Sequence, residues 1–268
     1  MPTLNPFYGK TAFVSGASSG IGRAIAAEFG RRGLQVVLAS RQLADVERVA
    51  ADIPGASAVQ LDVRDEGNWI AALDTAEARH GPLAVMVSNA GVSGSVLPLS
   101  ETPSALWEWS RGVNLDGAFY GLSHGTRRIL ASGQPGHVMA TSSMAIFAPP
   151  AGSALYIATK SAIVGLCECL RAELAGHPVK VSVIIPASVK SNLIDGNAAR
   201  APEPFPSRDM AAQAAAIRNG KDPEVVARQT ADALGTDEFW IFTHPELEHR
   251  IDSRNAEMKA ALDRARGQ

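Results

Sequence analysis

A tyrosine followed four residues later by a lysine is the pair in this chain best suited to proton chemistry. In the segment from Tyr156 to Lys160, helical geometry would place the phenol and the ammonium group on one face, about one turn apart. A nearby cation favours the phenolate, so the spacing predicts a lowered pKa for Tyr156 and acid–base chemistry near neutral pH. A solvated helix face can carry such a pair by chance, and the neighbouring residues must decide.

The elements that would position this pair alternate between apolar runs and helical patterns. This alternation predicts an α/β fold, a Rossmann-like doubly wound parallel sheet of about seven strands with helices on both faces. No long linker interrupts it, and the tract 198–206 is too short to separate domains, so one domain over 1–268 is expected. The predicted strands are 11–15, 35–39, 58–61, 83–88, 137–142, 179–185 and 239–242, and the predicted helices are 21–32, 43–52, 66–79, 103–131 and 153–175.

Composition excludes several classes of function. The chain has 268 residues, 46% hydrophobic and 19% charged, with a net charge of −2, and these values do not suit nucleic-acid binding. Cys167 and Cys169 fit buried thiols in a reducing compartment. Neither a signal pattern nor an apolar run of about 20 residues is present, so we expect a cytoplasmic protein with no membrane contact.

Glycine residues follow the first predicted strand at positions that suit a phosphate-binding turn. They permit a tight turn and close approach of a ligand to the backbone, and the helix start offers N–H groups to a pyrophosphate. An ordinary Gly/Ser-rich connection is the alternative, but the location at the first βα turn favours dinucleotide binding. The residues assigned to this turn are Gly16, Ser18, Ser19, Gly20, Ile21 and Gly22.

The end of the second predicted strand bears on the type of dinucleotide. An acidic residue there would bind the ribose 2′-hydroxyl, but the strand ends in Ser40 and Arg41, and Arg41 offers a guanidinium to a 2′-phosphate. NADP(H) is therefore preferred and NAD(H) remains possible, the alternative being an ordinary surface arginine. Asp62, followed by Val63, could accept from the adenine amino group. After the fourth strand, the small residues of the turn 89–91 let a cofactor lie against the strand ends.

With these residues in view, the chain resembles the short-chain dehydrogenase/reductase family, in its single-domain branch. The resemblance extends from about residue 9 to 242. Six motifs occur in the family's order: Gly16-x-x-x-Gly20-x-Gly22, Asn89-Ala90-Gly91, Asn114, Ser143, Tyr156-x-x-x-Lys160, and a proline-led turn after the sixth strand.

The resemblance implies four catalytic residues. Tyr156 would be the general acid in reduction or the general base in oxidation, and Ser143 would hydrogen-bond the substrate oxygen. Lys160 would bind the nicotinamide ribose and keep the pKa of the tyrosine low, and Asn114 would hold a water that links the lysine to solvent. Ser142 competes for the serine role, but the spacing of thirteen residues to the tyrosine favours Ser143.

The family pattern also assigns the turn after the sixth strand to the nicotinamide, through Pro186, Val189 and Ser191. This chain departs from the pattern in that turn, because Ala187 stands where glycine is usual and Ser191 where threonine is usual. Ser88 likewise precedes Asn89 where the family often has a second asparagine.

The substrate region implied by the resemblance is mostly apolar. That favours a hydrophobic or aryl ketone or secondary alcohol over a phosphorylated one, although some of these residues could instead be core or oligomer contacts. The region comprises 92–94, Met144, Ala145, Ile146, Phe147, Pro149, Pro150, Leu193, Ile194 and Met210, together with Ser143 and Tyr156.

The resemblance also bears on the oligomeric state and on the C-terminal tail. Similar proteins form dimers or tetramers through the helices equivalent to 103–131 and 153–175, so a homodimer or homotetramer is expected. The tail 244–250 resembles that of family members acting on aryl-alkyl alcohols, and its histidines are expected on the surface.

Three other functions remain open at this point. The chain could be an NAD(H)-dependent alcohol dehydrogenase of the same family. It could be a nucleotide-sugar epimerase or dehydratase, although that branch has another glycine spacing and a larger substrate domain. It could also be a non-catalytic dinucleotide-binding regulator, which would not need all four catalytic residues.

Overall fold

A computed structural model of the chain describes residues 6–94, 96–191, 193, 201–202 and 211–267. Within these residues a parallel sheet has the strand order β3-β2-β1-β4-β5-β6-β7. The predicted fold class is confirmed. The strands are β1 Thr11–Ser15, β2 Gln35–Ser40, β3 Ser57–Gln60, β4 Leu83–Ser88, β5 Gly136–Thr141, β6 Val179–Ile185 and β7 Trp240–Phe242.

Helices cover both faces of this sheet because alternate residues of each strand point to opposite sides. In β1, Phe13 joins the core beneath α3, α5 and α6, whereas Val14 joins the core beneath α1, α2 and α8. The helices are α1 Gly20–Arg31, α2 Leu43–Ala51, α3 Glu66–His80, α4 Ser104–Arg111, α5 Gly117–Ser132, α6 Ala154–Glu173, α7 Ala211–Arg218, α8 Pro223–Asp232 and α9 His249–Arg266.

The segment predicted as one long helix is α4, a π-helical turn at Gly112–Asp116, and α5. Its glycines let α5 lie against the sheet: a Cβ added at Gly121 would be 2.3 Å from Ser88 Oγ, and one at Gly125 would be 2.8 Å from Met86 Cγ. The π turn carries Asn114 and widens the helix there, a deviation often found at functional sites.

Three differences from the sequence analysis concern the second half of the chain. The helices α7, α8 and α9 were not predicted. Cys167 is buried as expected, but Cys169 is exposed, because residues two apart on a helix point in different directions. His249 is exposed as expected, whereas His244 is only 4% exposed, so the prediction of a surface histidine is wrong there.

Neither a transmembrane segment nor a metal cluster is found in the described part of the chain. None of its helices is long and apolar enough to cross a membrane. Its histidine, cysteine, aspartate and glutamate side chains form no group of three or more that could hold a metal ion.

Candidate active site

A cleft runs along the carboxyl ends of the strands, where ligands bind in open α/β sheets. Gly22, Asn114 and Ser143 do not line this cleft but contact residues that do, and Ala145 contacts Ser143. The predicted residues that line it are Gly16, Ser18, Ser19, Gly20, Ile21, Arg41, Asp62, Val63, Asn89, Ala90, Gly91, Tyr156, Lys160, Pro186, Val189, Ser191 and Leu193.

The glycine turn between β1 and α1 is closed against the turn after β4. Gly16 has φ +67°, and a Cβ there would lie 2.7 Å from Ala90 Cα. A Cβ at Gly22 would lie 2.4 Å from the Gly16 carbonyl oxygen. Side chains cannot fit at either position, so the backbone of the turn is free to meet a ligand directly.

Asn89 holds this turn to the strand ends. Its Nδ2 donates to the carbonyl oxygen of Ser15 at 3.1 Å, and its Oδ1 accepts from the Thr141 hydroxyl at 3.1 Å. The Ser15 hydroxyl accepts from the backbone N–H groups of Asn89 and Ala90 at 3.0 and 3.2 Å. These hydrogen bonds join β1, β4 and β5 where they end and form the floor of the cleft.

The start of α1 faces the cleft beyond the glycines. Ser19 is its N-cap residue in an extended conformation, and the Ser19 side chain makes no capping hydrogen bond. The first N–H groups of α1 and the positive end of the helix dipole therefore suit a pyrophosphate. Together with the glycine cradle, this arrangement fits a dinucleotide.

At the other end of the cleft, charged residues surround the end of β2. Arg41 is exposed and lines the cleft next to Ser40 and Gln42. Asp62 accepts hydrogen bonds from the Arg64 side chain, the shortest at 2.7 Å, and this pairing lowers the pKa of Asp62. An adenine amino group bound as predicted would therefore share the Asp62 carboxylate with the Arg64 side chain.

Tyr156 and Lys160 lie one turn apart on α6, as predicted. Lys160 Nζ lies 5.9 Å from the centre of the Tyr156 ring and donates to the Thr141 carbonyl oxygen at 2.7 Å. Burial lowers the pKa of Lys160 to about 8. At neutral pH the lysine is therefore a buried cation, and two of its three N–H donors remain after the bond to Thr141.

The pKa of Tyr156 moves opposite to the sequence expectation. Burial raises it above its ordinary value, and a hydrogen bond with Ser143 opposes this shift. The expectation of a lowered pKa is wrong for the protein alone, because removal of the phenolate from water outweighs the effect of the hydrogen bond with Ser143.

The two candidate serines have different surroundings. Ser142 is 1% exposed, and its hydroxyl donates to the Lys160 carbonyl oxygen at 2.7 Å. The Ser143 hydroxyl accepts from the Ala145 N–H at 3.1 Å and bonds to the Tyr156 phenol. Only Ser143 is therefore placed beside the phenol, which favours it for the serine role.

Asn114 is fully buried behind the lysine. Its Oδ1 accepts from the Val92 N–H at 2.7 Å, and its Nδ2 donates to the Val92 carbonyl oxygen at 2.9 Å. A Cβ at Gly91 would lie 3.3 Å from Asn114 Oδ1 and 3.4 Å from Lys160 Nζ. Asn114 thus fixes the 91–92 turn against the lysine, while its role in holding a water stays a prediction.

The apolar wall of the cleft differs from the one predicted. Met144 and Ile146 are buried in the core, and Phe147 packs against Trp240 and Phe242. For these three residues the alternative interpretation, a core contact instead of a substrate contact, is therefore correct. Pro149 and Pro150 are exposed, and Ile194 and Met210 lie outside the described residues. Apolar side chains line the cleft elsewhere, and besides those of the glycine turn, the end of β3 and the turn after β6 they include Val92, Trp109, Val113, Leu193 and Ile217.

Trp109 and Val113 were missed by the sequence analysis. Their i, i+4 spacing on the helix that carries Asn114 places them on one face, and this was the available signal. Ile217 lies on α7, which was not predicted.

The buried lysine has a measurable cost to stability. Between pH 8 and its ordinary pKa of 10.5, Lys160 carries a proton in the unfolded chain but not in the folded one. Stability should therefore rise with pH in this window. We expect Lys160→Met to raise the free energy of unfolding at pH 7 by about 1–2 kcal/mol, net of the lost hydrogen bond to Thr141. The variant should also lack the increase in stability between pH 8 and 10.5.

Denaturant unfolding at about pH 7, 8 and 9.5 measures both effects. Lys259→Met is the control, since Lys259 is exposed on α9 and should change stability by less than about 0.5 kcal/mol. A less stable Lys160→Met protein with the wild-type pH dependence would contradict the argument.

Comparison with known proteins gives a consistent result. Residues 10–201 match the family described as short chain dehydrogenase. The chain is 29% identical over 259 residues to C alpha-dehydrogenase of Sphingobium sp. strain SYK-6, with 93% of this chain and 85% of that protein covered. It is 35% identical over 251 residues to 1-deoxy-11-beta-hydroxypentalenate dehydrogenase of Streptomyces avermitilis, with 90% and 87% covered.

A solved structure extends the comparison to three dimensions. The short chain dehydrogenase/reductase of Burkholderia phymatum, determined in complex with NAD, matches with a TM-score of 0.89 at 29% identity. The match covers 96% of each chain.

Proposed function

Because the chain belongs to the short-chain dehydrogenase family and is an NAD(P)-dependent oxidoreductase acting on alcohols or ketones, we propose a specific activity for it. The activity is NADP(H)-dependent interconversion of a hydrophobic or aryl ketone and its secondary alcohol. The observation that supports the proposal is the position of Tyr156 next to both Ser143 and Lys160 at one end of the cleft. Arg41 lines the other end.

The residues present divide the chemistry among themselves. When bound, the nicotinamide supplies or accepts the hydride. Tyr156 gives a proton to the carbonyl oxygen in reduction, or takes it from the hydroxyl in oxidation. Ser143, already bonded to the phenol, donates to the same oxygen and so orients it.

Lys160 supports the tyrosine in this proposal. Its remaining N–H donors would bind the nicotinamide ribose, and its charge would stabilise the phenolate once the cleft is filled and water is displaced. The raised pKa of Tyr156 in the protein alone suits a group that holds its proton until substrate arrives.

The substrate class is inferred from the apolar wall of the cleft. Trp109, Val113, Leu193 and Ile217 line the same cleft as Tyr156. Such a wall favours an apolar or aromatic group on the carbonyl carbon, since burying it gains about 25 cal/mol per Å². Arg41 and Arg64 line the opposite, adenosine end, so they do not argue for an anionic substrate.

A panel of aryl, alicyclic and short aliphatic ketones, assayed with NADPH and with NADH, tests the proposal. We expect turnover of aryl and alicyclic ketones with a higher kcat/KM for NADPH. Cofactor binding without turnover of any ketone, or of any matching secondary alcohol in the reverse direction, would favour a non-catalytic regulator. Preference for NADH would refute the cofactor assignment while leaving the reaction class intact.

The NADP(H) assignment rests on Arg41. Asp45 also lines that end, but it is paired with Arg48, so its charge is offset. An exposed arginine paired with a 2′-phosphate should contribute about 1 kcal/mol or slightly more. We expect Arg41→Ala to raise KM for NADPH about five- to tenfold and to change KM for NADH by less than about twofold.

Steady-state kinetics with each cofactor measures this difference. Arg264→Ala on α9 is the matched control, since it removes the same charge from an exposed position outside the cleft. Equal changes of KM for both cofactors in Arg41→Ala would show that Arg41 does not recognise the phosphate.

A further inference from the structure

The turn after β6 lines the cleft and is held in place by a histidine from the chain that follows β7. Pro186, Ala187, Val189 and Ser191 of this turn line the cleft. His244 is 4% exposed, lies immediately after Thr243 and does not itself line the cleft. Nothing in the sequence motifs pointed to this residue.

The hydrogen bonds of His244 determine its protonation state. The backbone N–H of Ala187 donates to Nδ1 at 3.2 Å, so Nδ1 must carry a lone pair. The proton of the neutral ring then lies on Nε2, which donates to the Ser188 carbonyl oxygen at 3.2 Å. The Thr243 hydroxyl lies 2.9 Å from Nδ1. One neutral imidazole therefore holds backbone groups of two consecutive residues, the N–H of Ala187 and the carbonyl oxygen of Ser188.

The same turn is tied to the catalytic serine and to a neighbouring loop. The Met144 N–H donates to the Pro186 carbonyl oxygen at 2.8 Å, directly after Ser143. On the other side, the Lys221 N–H donates to the Ser188 carbonyl oxygen at 3.0 Å, and the Lys190 N–H donates to the Lys221 carbonyl oxygen at 3.0 Å. A shift of residues 187–188 would therefore reach both the cofactor contacts and the serine.

We propose that His244 is a positioning residue for the nicotinamide half of the dinucleotide, acting through the 186–191 turn and only in its neutral form. A protonated ring would set an N–H at Nδ1 against the Ala187 N–H, and the turn would lose that contact. The role rests on the proposed function, because it requires the nicotinamide to lie against this turn.

Charged neighbours bear on the protonation of His244. Lys221 and Arg250 disfavour the imidazolium and Glu246 favours it, while Lys221 Nζ also donates to Glu246 at 3.0 Å. Burial and Lys221 lower the pKa of His244, so the ring is neutral at pH 7 and takes up a proton below its ordinary range.

Binding of whole and truncated cofactors separates positioning from general stability. The probes are NADPH with 2′-phospho-ADP-ribose and NADH with ADP-ribose, where the fragment lacks the nicotinamide. We expect His244→Ala to weaken binding of the better dinucleotide about tenfold and of its fragment less than about twofold. Calorimetric titration measures both, with thermal unfolding as a check on folding.

A second variant tests whether the role depends on the protonation state of His244. His244→Asn keeps an acceptor near Nδ1 but cannot titrate, so it should retain more dinucleotide affinity than His244→Ala. In wild type, the ratio of fragment to dinucleotide affinity should be constant near pH 7 and should rise as the pH is lowered below about 6.5. In His244→Asn that rise should be absent.

Two control variants accompany these. His249→Asn changes an exposed histidine of the same tail and should behave as wild type. His137→Asn removes the contact of a buried histidine through Nε2 with Ser182 Oγ at 2.8 Å, so it should lower stability without changing the ratio of fragment to dinucleotide affinity.

The outcomes distinguish the two levels of the argument. If wild type binds neither dinucleotide, the proposed function fails, and the role of His244 fails with it. If wild type binds the dinucleotide, but His244→Ala weakens binding of dinucleotide and fragment equally or weakens the binding of neither, the positioning role alone is refuted. A pH-dependent ratio that persists in His244→Asn refutes the dependence on its protonation.

Discussion

Replacing Tyr156 by phenylalanine is expected to lower kcat by about 10³-fold while leaving dinucleotide affinity within about twofold. In the proposed mechanism the phenol, which is hydrogen-bonded to Ser143, is the proton donor, and phenylalanine cannot replace it in that role. The ring itself remains, so packing of α6 and the cleft wall should not change. Steady-state kinetics and cofactor titration on the same preparation separate the two effects.

Tyr120→Phe is the matched control. Tyr120 is half-buried on α5 and packs against Phe119, with ring centres 5.8 Å apart, outside the cleft. It should retain wild-type kcat. A Tyr156→Phe enzyme within about tenfold of wild type would assign the proton transfer to another group.

The second large effect is expected for Gly16→Ala. The new Cβ would lie 2.7 Å from Ala90 Cα at a residue with φ +67°, so both the backbone conformation and the contact between the two turns are affected. We expect a loss of about 2 kcal/mol in the free energy of unfolding and a fall of about 100-fold in dinucleotide affinity.

Gly165→Ala is its control, because a Cβ at Gly165 inside α6 meets no atom within 4 Å. That substitution should stabilise the protein by about 0.5–1 kcal/mol, since alanine loses less conformational entropy on helix formation. Denaturant unfolding and calorimetric titration measure both variants. Unchanged cofactor affinity in Gly16→Ala would show that the turn does not contact the pyrophosphate.

Features set by local sequence were predictable. Buried strands appear as apolar runs, the glycines of the first βα turn have few alternatives at positive φ, and the spacing of Tyr156 and Lys160 follows from helix geometry. Fold class, family and the proximity of Tyr156 to Lys160 could therefore be predicted from the sequence.

Features set by tertiary surroundings were not predictable. The pKa of Tyr156 depends on how much water α6 and its neighbours exclude, which spacing does not reveal. Met144 and Ile146 face the core because the short 3₁₀ turn Met144–Ile146 after Ser143 sets their direction. His244 has no motif, since its partners are backbone groups 56 and 57 residues away.

The pairing of β1 with β4 has a consequence for how the protein folds. These strands are neighbours in the sheet, with Thr11 opposite Leu83, although a long stretch of chain separates them. Pairings of this kind close large loops and form slowly. The contacts of Ser15 with Asn89 and Ala90 lie at the same seam, so the floor of the cleft exists only after the two halves of the sheet have joined. A ligand that spans the seam binds only the joined state, and by mass action it holds the two halves together.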